Sequence, residues 1–150
     1  MKIENVIKST IQLSVVKKVT LNLKFTHNFI EDKFNTILKP YDISSEQYNV
    51  LRILRGQKGN PLNMQDIQER MVTKNSNTTR LIDKLLLKGM VLRKTCPENR
   101  RKIEIKITDK GLNILTKLDP EIDENDTVFI RNLTKKELET LNDLLEKIRN

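Results

Sequence analysis

The sequence predicts a mainly α-helical chain with one small antiparallel β-hairpin, and three observations carry that expectation. Two capping boxes, Ser44-Ser45-Glu46-Gln47 and Thr134-Lys135-Lys136-Glu137, mark helix starts. Apolar residues recur at helical spacing over most of the 150 residues. A single stretch alternates instead, with Ile103, Ile105 and Ile107 facing inward and Lys102, Glu104 and Lys106 outward, which is the period of a strand.

Taken in order, the first element is a long helix from about Thr10 to Leu38, ended by Pro40. The first capping box opens a helix over about 45 to 55, with Ile43 and Tyr48 in the hydrophobic-staple positions, Val50, Leu51 and Leu54 on one face, and Gly56 past its end. Asn63 caps a short helix that buries Met64, Ile67 and Met71. After a turn at Val72 and Thr73, a further helix is expected from about Asn75 to Lys88, stopped by Gly89. Two strands follow, Met90 to Thr95 and Lys102 to Thr108, with Cys96 to Arg101 as the hairpin loop. Residues 109 to 131 read as another helix, with a bend expected at Pro120. The last helix starts at the second capping box, is stapled by Leu133 and Leu138, and carries Leu138, Leu141, Leu144, Leu145 and Ile148 in one stripe.

No linker rich in Gly, Ser or Pro divides the chain, so residues 1–150 are expected to form one unit. Cys96 is the only cysteine, which excludes an intrachain disulfide and a zinc knuckle, and an inert thiol is its expected state. No apolar run approaches a membrane span, and Glu4, Asn5 and Lys8 interrupt the N-terminus where a signal peptide is apolar, so a cytoplasmic protein without membrane contact is expected. With one histidine and four glycines there is no Walker loop, GxGxxG turn or HExxH pair, and neither catalysis nor a cofactor is expected. The acidic run Asp119, Glu121, Asp123, Glu124 and Asp126 lacks the order of a calcium loop and reads as a solvated face rather than a metal site.

Charge points to the partner. The net charge is +8, and residues 74 to 110 hold eleven basic against four acidic side chains, while 119 to 150 hold five against nine. A basic middle of this kind suits a polyanion. The helix expected from Asn75 turns Leu81, Ile82, Leu85 and Leu86 toward a core and sets Ser76, Arg80, Lys84 and Lys88 on one i, i+4 row, with Asn77 beside it. Asn and Arg side chains can pair with base edges, and serine with a base or a phosphate. An isolated row like this is usually a solvated face. As the second helix of a helix-turn-helix followed at once by a basic hairpin, it points to double-stranded DNA instead. Arg100 and Arg101 at the hairpin tip, with Lys94 and Lys102 nearby, suit a minor groove.

These residues also match a family. Ile43 to Leu54, then Thr79-Arg80-Leu81-Ile82-Asp83-Lys84-Leu85, Lys88-Gly89-Met90-Val91-Leu92-Arg93, the tip Asn99-Arg100-Arg101 and Ile107-Thr108-Asp109-Lys110-Gly111 together resemble the MarR family of winged-helix transcriptional regulators. The resemblance implies a winged helix-turn-helix lobe over about 40–110, with residues 1–39 and 111–150 as long dimerisation helices. It implies a homodimeric repressor on a pseudo-palindromic operator, with base and phosphate contacts from Ser76, Asn77, Thr79, Arg80 and Arg101. One departure is Asn99, where the family tip usually has an aspartate that orients the second arginine. The resemblance further implies release by a small aromatic or anionic effector, for which His27, Tyr48 and Arg52 are the candidate residues. Two other readings compete: a winged helix used only for protein contacts, and a nucleic-acid-processing enzyme, which would need clustered carboxylates or a base beside a nucleophile.

Overall fold

The computed structural model describes the backbone of residues 1–96 and 99–150 and, within these, every side chain except those of Cys96, Arg100, Arg101 and Lys102. The chain opens with a short helix α1 (Ile3–Val6), whose Ile3 is buried and whose Glu4 pairs with Lys18. The long helix α2 spans Val15–Leu38. It starts five residues later than the apolar spacing predicts, because the Ser14 hydroxyl accepts the Lys17 N–H at 3.3 Å and caps it there. A 3-10 turn, Lys39–Tyr41, closes α2, and Asp42 leaves it in the left-handed region at φ 52°.

Helix α3 (Ser45–Arg55) begins in the predicted capping box: Gln47 N–H donates to the Ser44 hydroxyl at 3.2 Å and Ser44 N–H to the Gln47 side chain at 3.0 Å. Its Val50, Leu51 and Leu54 are at most 1% exposed, and α2, α4 (Met64–Arg70), α5 (Thr78–Leu87), α6 (Asp109–Ile130) and strand β2 (Asn99–Ile107) all pack on it. Strand β1 (Val91–Cys96) pairs antiparallel with β2, Val91 opposite Ile107. A single bridge from Leu62 to Ile105, with N–H to O distances of 3.0 and 2.8 Å, adds a third edge. Both strands run further toward the tip than predicted, so Arg100 and Arg101 lie in β2 and not in a loop. Ile105 and Ile107 are buried as predicted, but Ile103 is 44% exposed. It pairs with exposed Thr95, where the hairpin has already run past the helices that cover its base.

Helix α6 continues through Pro120, and α7 spans Lys135–Arg149 from its predicted capping box. The guanidinium of Arg55 on α3 grips both carboxylate oxygens of Asp119 on α6 at 2.7 and 2.9 Å. That bond holds the Asp119 carboxyl below the usual carboxylate range and raises the Arg55 guanidinium. Because the acid's folded pKa is depressed, its contribution to stability is present above the ordinary carboxylate pKa and is lost as pH falls through the lowered one.

Helix α6 crosses the base of the hairpin at close range at Gly111. A Cβ on Gly111 would meet the Met90 carbonyl oxygen at 2.5 Å and Ile107 Cγ1 at 2.8 Å. The first of these is backbone and cannot rotate away. Gly111→Ala is therefore expected to lower unfolding stability by ~1–3 kcal/mol, the range for overpacking a tight contact. An unchanged denaturation midpoint would contradict this packing.

Candidate nucleic-acid interface

Helix α4, the turn 71–77 and α5 make the helix-turn-helix. Asn63 caps α4 by accepting the Asp66 N–H at 2.8 Å. The turn is longer than the two residues expected, and polar bonds from both preceding helices hold it. Val72 N–H donates to the Asn49 side chain on α3 at 2.9 Å, and the Gln68 amide donates to the Lys74 carbonyl at 2.6 Å. The Lys74 ammonium donates to the Glu69 carbonyl at 2.7 Å, and the buried Thr78 hydroxyl donates to the Gln68 side-chain oxygen.

These bonds delay the start of α5 to Thr78, three residues after the expected Asn75. The Asn77 side chain accepts the Arg80 N–H at 3.1 Å, so it caps the helix and does not ride on its face. Ser76 also precedes the helix, with its hydroxyl oxygen buried and unpartnered among the described residues. The predicted row therefore shortens. Thr79 and Arg80 stand exposed in the first turn, and Lys84 is exposed one turn on. Lys88 leaves the row: its ammonium bonds the Asp42 carbonyl and sits 3.0 Å from the Asp42 carboxylate. Arg80 and Lys84 have no side-chain hydrogen bond or ion pair among the described residues. On the opposite face Ile82 and Leu85 are fully buried, and Leu81 and Leu86 pack against the core, as predicted.

The wing is tied to α5 by an ion pair that no local sequence rule announces. Arg93 near the start of β1 lies 2.6 Å from Asp83, a half-exposed contact on the flank of the recognition helix. Lys94 and Lys106 are exposed on the hairpin. The side chains of Arg100 and Arg101 lie outside the described ones. Sequence reasoning also missed Asn49 and Gln68, whose amides are ordinary surface residues by composition and become ligands of the turn only once α3, α4 and α5 are assembled.

Of the three candidate effector residues, the fold brings two together. The Tyr48 hydroxyl accepts a 2.9 Å hydrogen bond from Arg52, and its ring meets Phe34 of α2 edge-on at 5.1 Å. His27 is exposed on α2, seven residues and so ~10 Å of helix before Phe34. A cleft of about 200 Å³ lies between α2 and the turn ahead of α5. Glu31, Phe34, Glu46, Tyr48, Asn49 and Val72 border it, and His27 and Arg52 do not. Two carboxylates at its edge make it a poor seat for an anion.

Since Asn77 works as a cap, its loss has a measurable cost in the free protein. Asn77→Ala is expected to destabilise by ~0.5–2 kcal/mol, whereas Asn77→Asp, which caps equally well, should keep the stability. Thermal or denaturant unfolding of the pair checks it, and equal midpoints for all three proteins would contradict the capping role.

The fold and this surface have counterparts among known proteins. The model of the MarR family matches residues 43–103. A MarR transcription factor from Planctomyces limnophilus is 32% identical, with 91% of this chain and 98% of that chain covered and a TM-score of 0.69. The HTH-type transcriptional regulator MhqR of Bacillus subtilis is 27% identical over 87% of this chain and 89% of its own. A mutant of E. coli MarR complexed with operator DNA is 24% identical, covers 91% of this chain and 99% of that chain, and superposes with a TM-score of 0.76. A winged helix-turn-helix with its recognition helix open to solvent, and likeness across nearly the whole length of such relatives, lead to one conclusion: the chain belongs to the MarR family of DNA-binding transcription regulators, whose members are not enzymes.

Proposed function

We propose that this regulator acts as a homodimeric repressor, reads a pseudo-palindromic operator through Thr79 and Arg80, and is released by a small aromatic effector. The observation that carries the dimer is the distribution of exposed apolar side chains. Val15, Val16, Val19, Leu23, Phe29 and Ile30 of α2 are exposed, as are Val128 and Ile130 of α6 and Leu141, Leu144 and Ile148 of α7. Helix α7 buries no residue, although its stripe has the regular spacing of an interface helix. Within one chain α7 makes no substantial contact with α2. Apolar surface on this scale is stabilised by a second copy, which sets two lobes at a spacing compatible with one DNA turn, ~34 Å.

Within each lobe the exposed start of α5 supports base reading by Arg80. The wing, fixed to α5 through Asp83 and Arg93, supports a minor-groove contact by Arg100 and Arg101, and Ser76 and Asn77 support the same surface by shaping the helix entry. An effector can weaken DNA binding only by favouring a lobe arrangement that does not fit the operator. The cleft against Phe34 and Tyr48 joins α2 to the turn that holds α5, and its acidic rim favours an uncharged aromatic ring over the carboxylate that Arg52 alone suggests. Repression is read by transcription from a template carrying the operator, with and without the protein.

Two outcomes are expected. Sedimentation at micromolar concentration should give a dimer, and Leu144→Glu should shift it toward monomer; a monomeric wild-type chain would refute the assembly. Arg80→Ala should cost ~1–3 kcal/mol on the operator and much less on random duplex. An equal loss on both would make Arg80 a phosphate anchor and not a reader of bases.

A further inference from the structure

The recognition helix does not end its charged side at Lys84. An open cleft of about 730 Å³ lies between the C-terminal half of α5, the end of α2 and the start of α3. Lys39, Lys84 and Lys88 line it from two separate elements, together with Asp42, Ser44 and Leu87. Lys88 is already matched by Asp42. Lys39 and Lys84 are exposed and have no side-chain hydrogen bond or ion pair among the described residues. Two unpaired cations therefore converge on one concavity whose single carboxylate is in use.

We propose that this cleft seats a phosphate of the DNA backbone at the edge of the major groove, held by Lys39 and Lys84, with Lys88 and Asp42 bracing its wall. The inference rests on α5 entering the major groove by its N-terminal turn. Lys84 stands one helical turn, ~6 Å, beyond Arg80, and Lys88 two turns, ~12 Å. A major groove is ~12 Å wide, so when Arg80 reaches base edges the far end of α5 lies over a bordering strand. Lys39, brought beside that end by the close of α2, meets the same strand. The Lys39 half of the contact lies outside both the recognition helix and the wing. It makes the junction of the dimerisation helix with the DNA-binding lobe part of the footprint. A shift of α2 relative to α5 would pull Lys39 from the phosphate without moving Arg80.

The test is the salt dependence of DNA affinity for the wild type, Lys39→Ala, Lys39→Arg and, as a control far from this face in sequence and structure, Lys135→Ala. Lys39→Ala is expected to weaken operator and random duplex by the same factor. It should also flatten the log-log salt slope by ~0.9 per protomer, with Lys39→Arg and Lys135→Ala keeping the wild-type slope. Circular dichroism melts of the variants should match the wild type, since Lys39 is exposed. A wild-type slope for Lys39→Ala, with the wild type itself salt-sensitive, overturns the proposal alone. A wild type without salt-sensitive DNA binding overturns the DNA-reading surface as well. Replacing chloride by inorganic phosphate at fixed ionic strength gives the second arm. A phosphate effect confined to the wild type, with unaltered DNA slopes, would assign the cleft to a free anion and overturn the backbone contact.

Discussion

Helix α3 has 11 residues, yet α2, α4, α5, α6 and β2 all pack on it. Burying Val50, Leu51 and Leu54 is what makes this possible, at roughly 1.5–3 kcal/mol for each large apolar side chain. Those three side chains share one buried cluster with Leu38 of α2, Ile67 of α4, Ile82 and Leu85 of α5, Leu115 of α6 and Ile105 of β2, so the direction of α5 relative to the long helix α2 is set through α3. The Arg55–Asp119 bond and the Phe34–Tyr48 ring pair fix the two helices that would otherwise slide on this apolar surface. Apolar burial holds the elements together, and these directional contacts set their angles.

The reading surface is built by restraint at the entrance of α5. Asn49, Gln68, Lys74 and Thr78 tie the turn and the start of α5 to the two preceding helices, and Asn77 closes the first turn. A helix presented this way leaves Thr79 and Arg80 as the first free side chains. Holding exposed side chains on a fixed backbone lowers the ordering cost of any contact they make. The Asp83–Arg93 pair extends the restraint to the wing and ties hairpin and helix together.

The chain separates its two kinds of surface. The basic surplus belongs to residues 74 to 110, most of the exposed large apolar side chains lie on α2, α6 and α7, and the acidic surplus belongs to residues 119 to 150. The cleft at Phe34 and Tyr48 and the one at Lys39 and Lys84 both lie where these surfaces meet. Motion of α2 against α3 therefore reaches each of them.

Helix starts were legible from the sequence at Ser44, Asn63 and Thr134, each of which accepts the N–H three residues on, whereas the equally local caps at Ser14 and Asn77 were missed. Buried faces were legible too, since Ile82 and Leu85, or Val50 and Leu54, repeat with the helix period. The order of helix, turn, helix and hairpin, with its basic charge, was enough to point to DNA. Three things required the tertiary structure. The start of α5 moved to Thr78 because its competitors for hydrogen bonds come from α3 and α4, at distances along the chain that no local pattern encodes. Lys88 left the groove-facing row because Asp42 reaches it from 46 residues away. Ile103 has the right alternation for burial but lies beyond the helices that would cover it. Periodicity determines which residues can share a face, and only the packing of other elements decides whether that face is covered, paired or free.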